Sequence, residues 1–234
     1  MTTIAQRSQA VSSRLAQAAQ QAGRKPEEVL LLAVSKTQAA GAIREAFAAG
    51  LHDFAENYLQ EALDKQPQLT DIALRWHFIG PIQSNKTRPI AESFDWVHSV
   101  DRLKIAQRLS EARPSHLPPL NICLQVNVSG EVSKSGCLPA EVPELARAAS
   151  QLPRLRLRGL MGIPAPAVDI EQQRAPFRQL RQLLESLNQQ GLALDTLSMG
   201  MSEDFPAAIA EGATIVRIGT AIFGPRMRKE QYAD

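Results

Sequence analysis

The sequence runs to 234 residues, 44% hydrophobic and 21% charged, the balance of an ordinary globular protein. A net charge of +2 is too mild to argue for nucleic acid or an anionic membrane as the main partner. The two cysteines, Cys123 and Cys137, form no CxxC pair and are too few for a disulfide framework, so a reduced, cytoplasmic setting is expected. The opening MTTIAQRSQAVSSRLAQ has no continuous apolar region and no later run approaches the roughly 18 residues of a membrane span, so neither a secretory signal nor a transmembrane helix is expected.

Residues 3–22 read as a helix with Ile4, Val11 and Leu15 on one face. VLLLAVS (29–35) is a fully buried strand, followed by an alanine-rich helix over 39–49 that stops at Gly50. HDFAEN (52–57) is a short strand, and the helix over 58–66 ends before Pro67. LRWHFIG (74–80) is a strand, 83–92 a short helix and FDWVHSV (94–100) a strand; Asp101 is a candidate N-cap for a helix reaching Glu111. LNICLQVNV (120–128), a helix over 139–151 and LRLRGLMGI (155–163) follow. The clearest helix covers 170–190, with Leu180, Leu183, Leu184 and Leu187 at i, i+3, i+4 and i+7. LDTLSMG (194–200), a helix over 203–211 ending at Gly212, and ATIVRIG (213–219) complete the pattern. Strands alternating with helices predict parallel pairing, and eight such units predict one α/β domain over 1–234, a (β/α)8 TIM barrel with an extra N-terminal helix. A doubly wound open sheet is the alternative, weakened because no GxGxxG follows the first strand.

A barrel gathers function at the C-terminal ends of its strands. There the continuous apolar strand 29–35 runs straight into Lys36, and a partly desolvated lysine amine can form a Schiff base with a carbonyl. The small-residue segments SMGMSEDF and RIGTAIFG follow the last two strands, where barrels often bind phosphate. Backbone N–H groups near Gly200 and Gly219, hydroxyls of Ser202 and Thr220, and the start of a helix near Glu203 would serve that end. Ordinary capping by Ser202 is the competing explanation, and Glu203 and Asp204 would repel a phosphate unless they point away. Arg217 lies between apolar neighbours and by alternation points inward, to a structural acceptor or to a ligand. His77 reads as a satisfied core histidine, and His77 with His98 is not a metal pair by spacing. Lys134, in the polar loop SGEVSKSGC, is a candidate for a second anionic group.

Together AVSKTQ, FAENYLQEA, WHFIGPIQSNK, QVNVSGEVSKSG, RGLMGI, LSMGMSEDFPAAI and VRIGTAIFG resemble the pyridoxal phosphate homeostasis protein family, itself similar to the N-terminal barrel of alanine racemase. The resemblance implies that Lys36 holds pyridoxal 5′-phosphate (PLP) as a Schiff base. It also implies that Ser202, Gly219 and Thr220 hold the phosphate and that Arg217 faces the pyridine nitrogen. Asn57, His77 and Ser198 fall in motif positions near the cofactor, and the phosphate is expected on the rim opposite Lys36. An arginine at the ring nitrogen can only donate, which leaves that nitrogen unprotonated and makes the ring a poor electron sink. Racemases with this arrangement draw a second base from a further domain. This chain ends at Asp234, and its only tyrosines, Tyr58 and Tyr232, are not evident substitutes. The expected function is therefore PLP storage and delivery in PLP homeostasis, without substrate turnover, by a monomer that meets apo-enzymes transiently. The alternatives are a PLP-dependent amino-acid racemase and a PLP-free Schiff-base aldolase.

Overall fold

The structure, a computed structural model, describes residues 2–129 and 135–225. Lys134 and Tyr232 lie outside them. Eight parallel strands close into a barrel in sequence order: β1 (Leu30–Val34), β2 (Asp53–Glu56), β3 (Arg75–Phe78), β4 (Trp96–Val100), β5 (Leu120–Val126), β6 (Leu155–Gly162), β7 (Thr196–Ser198) and β8 (Ile215–Ile218). The ring is completed by β8 pairing with β1, with Leu30 opposite Ile215 and Ala33 opposite Ile218. The (β/α)8 expectation holds, and the open sheet is excluded among the described residues.

Helix α1 (Ile4–Gln21) precedes the barrel. Thr3 starts it with a reciprocal cap, its hydroxyl accepting from the Gln6 N–H while the Gln6 side chain accepts from the Thr3 N–H. Helices α2 (Ala40–Ala48), α3 (Leu59–Lys65), α4 (Thr87–Ser93), α5 (Leu103–Ala112), α6 (Val142–Ser150), α7 (Ile170–Gln189), α8 (Phe205–Ala210) and α9 (Thr220–Phe223) follow their strands. Several ends differ from expectation. The first residue of α5 is Leu103, so Asp101 is not its cap. The helix expected from Glu203 begins at Phe205, because Asp204 turns its carboxylate back onto the Met201 N–H at 2.6 Å. Neither Ser202 nor any other side chain caps it.

Alternation along the strands builds two apolar layers. One direction carries Ala33, Phe54, Phe78 and Val97 out to the helices, where Phe54, Phe78, Phe94, Phe177 and Phe205 are fully enclosed. Burying a side chain of this size contributes about 2–3 kcal/mol. The other direction fills the barrel itself with a small cluster of Leu32, Val34, Ala55 and Ile215, against which Leu30, Ile79 and Trp96 pack. Asp53, His77, His98, Ser198 and Arg217 share that interior, so it is polar through its centre. Among the described residues no helix is long and apolar enough to cross a membrane, and both cysteines are buried and free.

Candidate functional site

Lys36 stands two residues beyond the buried Val34 and is half-buried. Its neighbours in the chain are fixed from outside the barrel. Lys65 Nζ donates to the Ser35 carbonyl at 2.9 Å and to Glu56 Oε1 at 2.8 Å, and the Ser35 hydroxyl donates to the same Glu56 oxygen at 2.7 Å. Thr37 takes a left-handed φ of 65°, unfavourable for a β-branched residue, and its N–H donates to Glu61 Oε1 at 2.7 Å. The segment that presents Lys36 is thus gripped on both sides by α3.

Because β8 is bonded to β1, Gly219 and Thr220 lie beside Lys36. All three line one small recess with Val34 and Phe223. The expectation of a phosphate rim opposite Lys36 is therefore wrong: barrel closure makes the last strand the neighbour of the first. A Cβ on Gly219 would sit 3.3 Å from the Val34 carbonyl oxygen, a tight contact that a glycine avoids. Thr220 and Ala221 open α9, where N–H groups lack intrahelical acceptors.

Below this recess lies Arg217, 4% exposed. Its Nη1 donates to the Ser198 carbonyl and, at 2.8 Å, to the Ser198 hydroxyl; its Nη2 donates to the Gly162 carbonyl at 2.9 Å. Of the five N–H donors of a guanidinium, these bonds leave two without an acceptor among the described residues. Burial lowers the Arg217 pKa to about 10, which keeps it cationic at neutral pH. The inward reading of Arg217 is right, and all three of its acceptors are neutral carbonyl or hydroxyl groups rather than a carboxylate partner.

Ser198 ends β7 fully buried, with its hydroxyl shared between Arg217 and His98 Nδ1. His77 is enclosed as expected of a core histidine. Its Nδ1 meets His98 Nε2 at 2.9 Å and its Nε2 meets Asp53 Oδ1 at 3.0 Å, so its link to the barrel mouth runs through His98 and Ser198. Burial pushes both imidazoles down, His98 well below the ordinary value, with the nearby His77 and Arg217 adding to the shift. Burial opposes ionisation of Asp53, yet hydrogen bonds from Arg75 and His77 hold its carboxyl at about 2.

Asn57 follows β2 at the mouth, and its Oδ1 is buried without a hydrogen-bond partner. Gly80 crosses it so closely that a Cβ there would lie 1.9 Å from the Asn57 carbonyl oxygen. Ser202 lies apart from Lys36, in a recess of about 290 Å³ shared with Pro164, Pro166, Met201 and Asp204. The structure thus joins Lys36, Gly219 and Thr220 in one recess and Arg217, Ser198 and His77 in one hydrogen-bonded chain, with Asn57 and Ser202 in separate recesses. Sequence reading missed Asp53 and Lys65 altogether. The signal for Asp53 was parity, since it shares the inward face of β2 with Ala55.

Residues 7–227 match the family described as alanine racemase, N-terminal domain. A pyridoxal phosphate homeostasis protein of Pseudomonas aeruginosa is 68% identical over 226 residues, covering 97% of each chain. The chain belongs to the pyridoxal phosphate homeostasis protein family. The family member of Escherichia coli K12 is 53% identical over 229 residues, covering 97% of this chain and 98% of its own. Among solved structures, PipY of Synechococcus elongatus without PLP is 43% identical with a TM-score of 0.86, covering 95% of this chain and 100% of PipY. The same protein with PLP bound matches at 42% identity and a TM-score of 0.79, covering 90% and 100%.

Proposed function

We propose that this protein binds PLP at the barrel mouth through Lys36 and serves cellular PLP homeostasis as a carrier that does not turn over substrate. The observation that carries the reading is the junction of β8 with β1, which sets an amine beside the glycine-threonine turn and above a buried guanidinium. The residues fit the group by their chemistry. The backbone at Gly219 and Thr220 offers N–H donors to a phosphate. Two remaining N–H donors of Arg217 suit a ring nitrogen that accepts, and the unpartnered Asn57 side chain adds a polar group at the same mouth. When bound, PLP supplies an aldehyde that a lysine amine captures reversibly as a Schiff base.

Arg217 has no proton to accept and at neutral pH none to give up, so it would hold the ring nitrogen in its unprotonated form. That setting suits capture and release of an aldehyde better than carbanion chemistry. Tyr58 is 58% exposed and lines the recess of Asn57 and Lys86 instead of the one around Lys36, which supports a carrier over a racemase. We extend the reading to a cytoplasmic monomer that passes PLP to apo-enzymes, with Ser202 as a further phosphate contact. Borohydride reduction followed by peptide mapping tests the core of it. A phosphopyridoxyl group on Lys36, lost in Lys36→Ala, is expected, together with unchanged L- and D-alanine on chiral analysis. An adduct elsewhere, or conversion between the enantiomers, overturns the carrier reading.

A further inference from the structure

A single file of side chains crosses the barrel from its floor to its mouth. At the floor, Arg75 grips Asp53 through two bonds of 2.7 and 2.6 Å, beside a recess that opens to solvent between Leu30, His52 and Thr214. From Asp53 the file runs to His77 at 3.0 Å, to His98 at 2.9 Å, to Ser198 at 2.8 Å and to Arg217 at 2.8 Å. Both imidazoles are wholly enclosed, and His77 stacks on Trp96 with centroids 5.6 Å apart and planes 7° from parallel.

Such a file has a direction, and one end sets it. An ionised carboxylate only accepts, so His77 must donate from Nε2 to Asp53. A neutral imidazole has one N–H, so His77 Nδ1 accepts and His98 must donate from Nε2. His98 Nδ1 then accepts the Ser198 hydroxyl proton, and the lone pairs on that hydroxyl face Arg217. Every group is satisfied with neutral rings, whereas in the opposite direction His98 would compete with Arg217 for the lone pairs of Ser198 and leave the hydroxyl proton without its imidazole acceptor.

We propose that Asp53, His77 and His98 are positioning residues for Arg217: the direction that Asp53 imposes spends the Ser198 hydroxyl proton on His98, keeps the lone pairs of that oxygen for Arg217, fixes Nη1, and so aims the remaining guanidinium donors at the ring nitrogen of the cofactor. This rests on the PLP reading above, and Asp53, on the floor of the barrel, touches no part of that site. Asp53→Asn preserves size but lets an amide donate to His77 Nε2, which permits the reversed file.

The test has one arm without cofactor and one with it. In ligand-free protein labelled with ¹⁵N-histidine, NMR at neutral pH should show His77 and His98 both as Nε2–H tautomers, and Asp53→Asn should convert them wholly or partly to Nδ1–H. With PLP, wild type and Asp53→Asn should both yield the Lys36 adduct on reduction. The variant should bind roughly tenfold more weakly, the scale of one misdirected hydrogen bond, and its bound cofactor should show a shifted absorbance band. Either wild-type ring found as Nδ1–H or protonated overturns the proposal, and that result stands even where the variant does not fold. A folded Asp53→Asn with unchanged affinity and absorbance overturns it too. Loss of the Lys36 adduct in wild type defeats the cofactor reading instead, and the tautomers then decide the direction of the file alone.

Discussion

Replacing Lys65 by Met removes a buried ammonium and leaves its carboxylate partner in place. The side chain of Lys65 is 7% exposed, that of Glu56 is fully enclosed, and Glu56 Oε2 already lacks a partner. In Lys65→Met, Glu56 keeps only the Ser35 hydroxyl, and the Ser35 carbonyl loses its ammonium donor. Breaking a buried pair from one side costs about 3–5 kcal/mol, a large share of the stability of an ordinary domain. The loss depends on pH with a definite sign. Burial already raises the Glu56 pKa against the pull of Lys65, and removing Lys65 leaves burial less opposed. The folded variant then holds a proton that the unfolded chain releases, so its stability falls as pH rises. Urea unfolding followed by circular dichroism should show a deficit of about 4 kcal/mol at pH 8 and a clearly smaller one at pH 5.5. The double variant Glu56→Leu/Lys65→Met should recover to within about 1 kcal/mol of the wild type, because an apolar pair avoids the desolvation cost. A single-variant deficit below about 1 kcal/mol, or one equal at both pH values, would refute the account of this pair.

The buried histidines predict a second pH dependence. Because burial keeps His77 and His98 neutral in the fold, the unfolded chain binds more protons below the ordinary imidazole value of about 6.5. Stability is then lost as pH falls, by at most about 1.4 kcal/mol per pH unit for each ring. Glu56 and Asp204, whose pKa values burial raises, act in the opposite direction, so the difference between wild type and His98→Gln isolates the effect. His98→Gln should have a shallower acid slope between pH 6.5 and 5, and equal slopes would count against neutral rings. The stabilisation from Asp53 has another window, present above the ordinary carboxylate range and lost only as pH falls toward about 2. Burial lifts Cys123 to about 12 and Cys137 to about 11, so at pH 8 the thiolate is on the order of one part in a thousand or less. Neither should react with a thiol reagent until urea unfolds the chain, and rapid labelling of either in the native protein would contradict this.

The fold was legible because several strands, 29–35 above all, are compact apolar runs and the helices over 3–22 and 170–190 show stripes at helical spacing. Those are local signals, and eight units in alternation leave few topologies. Helix ends were read less well because side chains decide them. Asp204 spends its carboxylate on the Met201 N–H and delays α8 to Phe205, whereas α7 runs through Pro176 over nearly the whole expected span 170–190. Lys36, Gly219, Thr220 and Arg217 were visible as polar or small residues at the ends of apolar strands. Their arrangement was implied by the predicted barrel, in which β8 returns to β1, yet the phosphate segments were expected on the opposite rim. The file from Asp53 to Arg217 was hidden because its members come from five different strands. His98 and Ser198 are 100 positions apart, and only strand register and barrel closure bring them within a hydrogen bond.

The extra N-terminal helix takes on a purpose once the mouth is understood. The two segments proposed to face the phosphate lead into α8 and α9, of six and four residues, lengths at which a helix gains little from its own hydrogen bonds. Helix α1 and the turn after it supply what these helices lack. Arg7 Nε donates to the Ile222 carbonyl at 2.6 Å and its Nη2 to the Phe223 carbonyl at 3.3 Å, at the C-terminal end of α9. Arg24 Nη1 donates to the carbonyls of Ile209 and Ala213 at 3.1 and 2.7 Å, at the end of α8, and Arg14 lies 5.0 Å over the ring of Phe205 at its start. Cations at helix C-termini satisfy orphan carbonyls and oppose the negative end of the dipole. From the other side, Glu211 just past α8 is held by Arg174, Arg178 and Arg181 of α7. Gly200, at φ 92°, fits against α8 only because it has no side chain, since a Cβ there would meet that of Ala208 at 2.6 Å. Rigidity of α8 and α9 therefore comes from behind, through Arg7, Arg24 and the arginines of α7, while rigidity around Lys36 comes from Lys65 and Glu61 on α3.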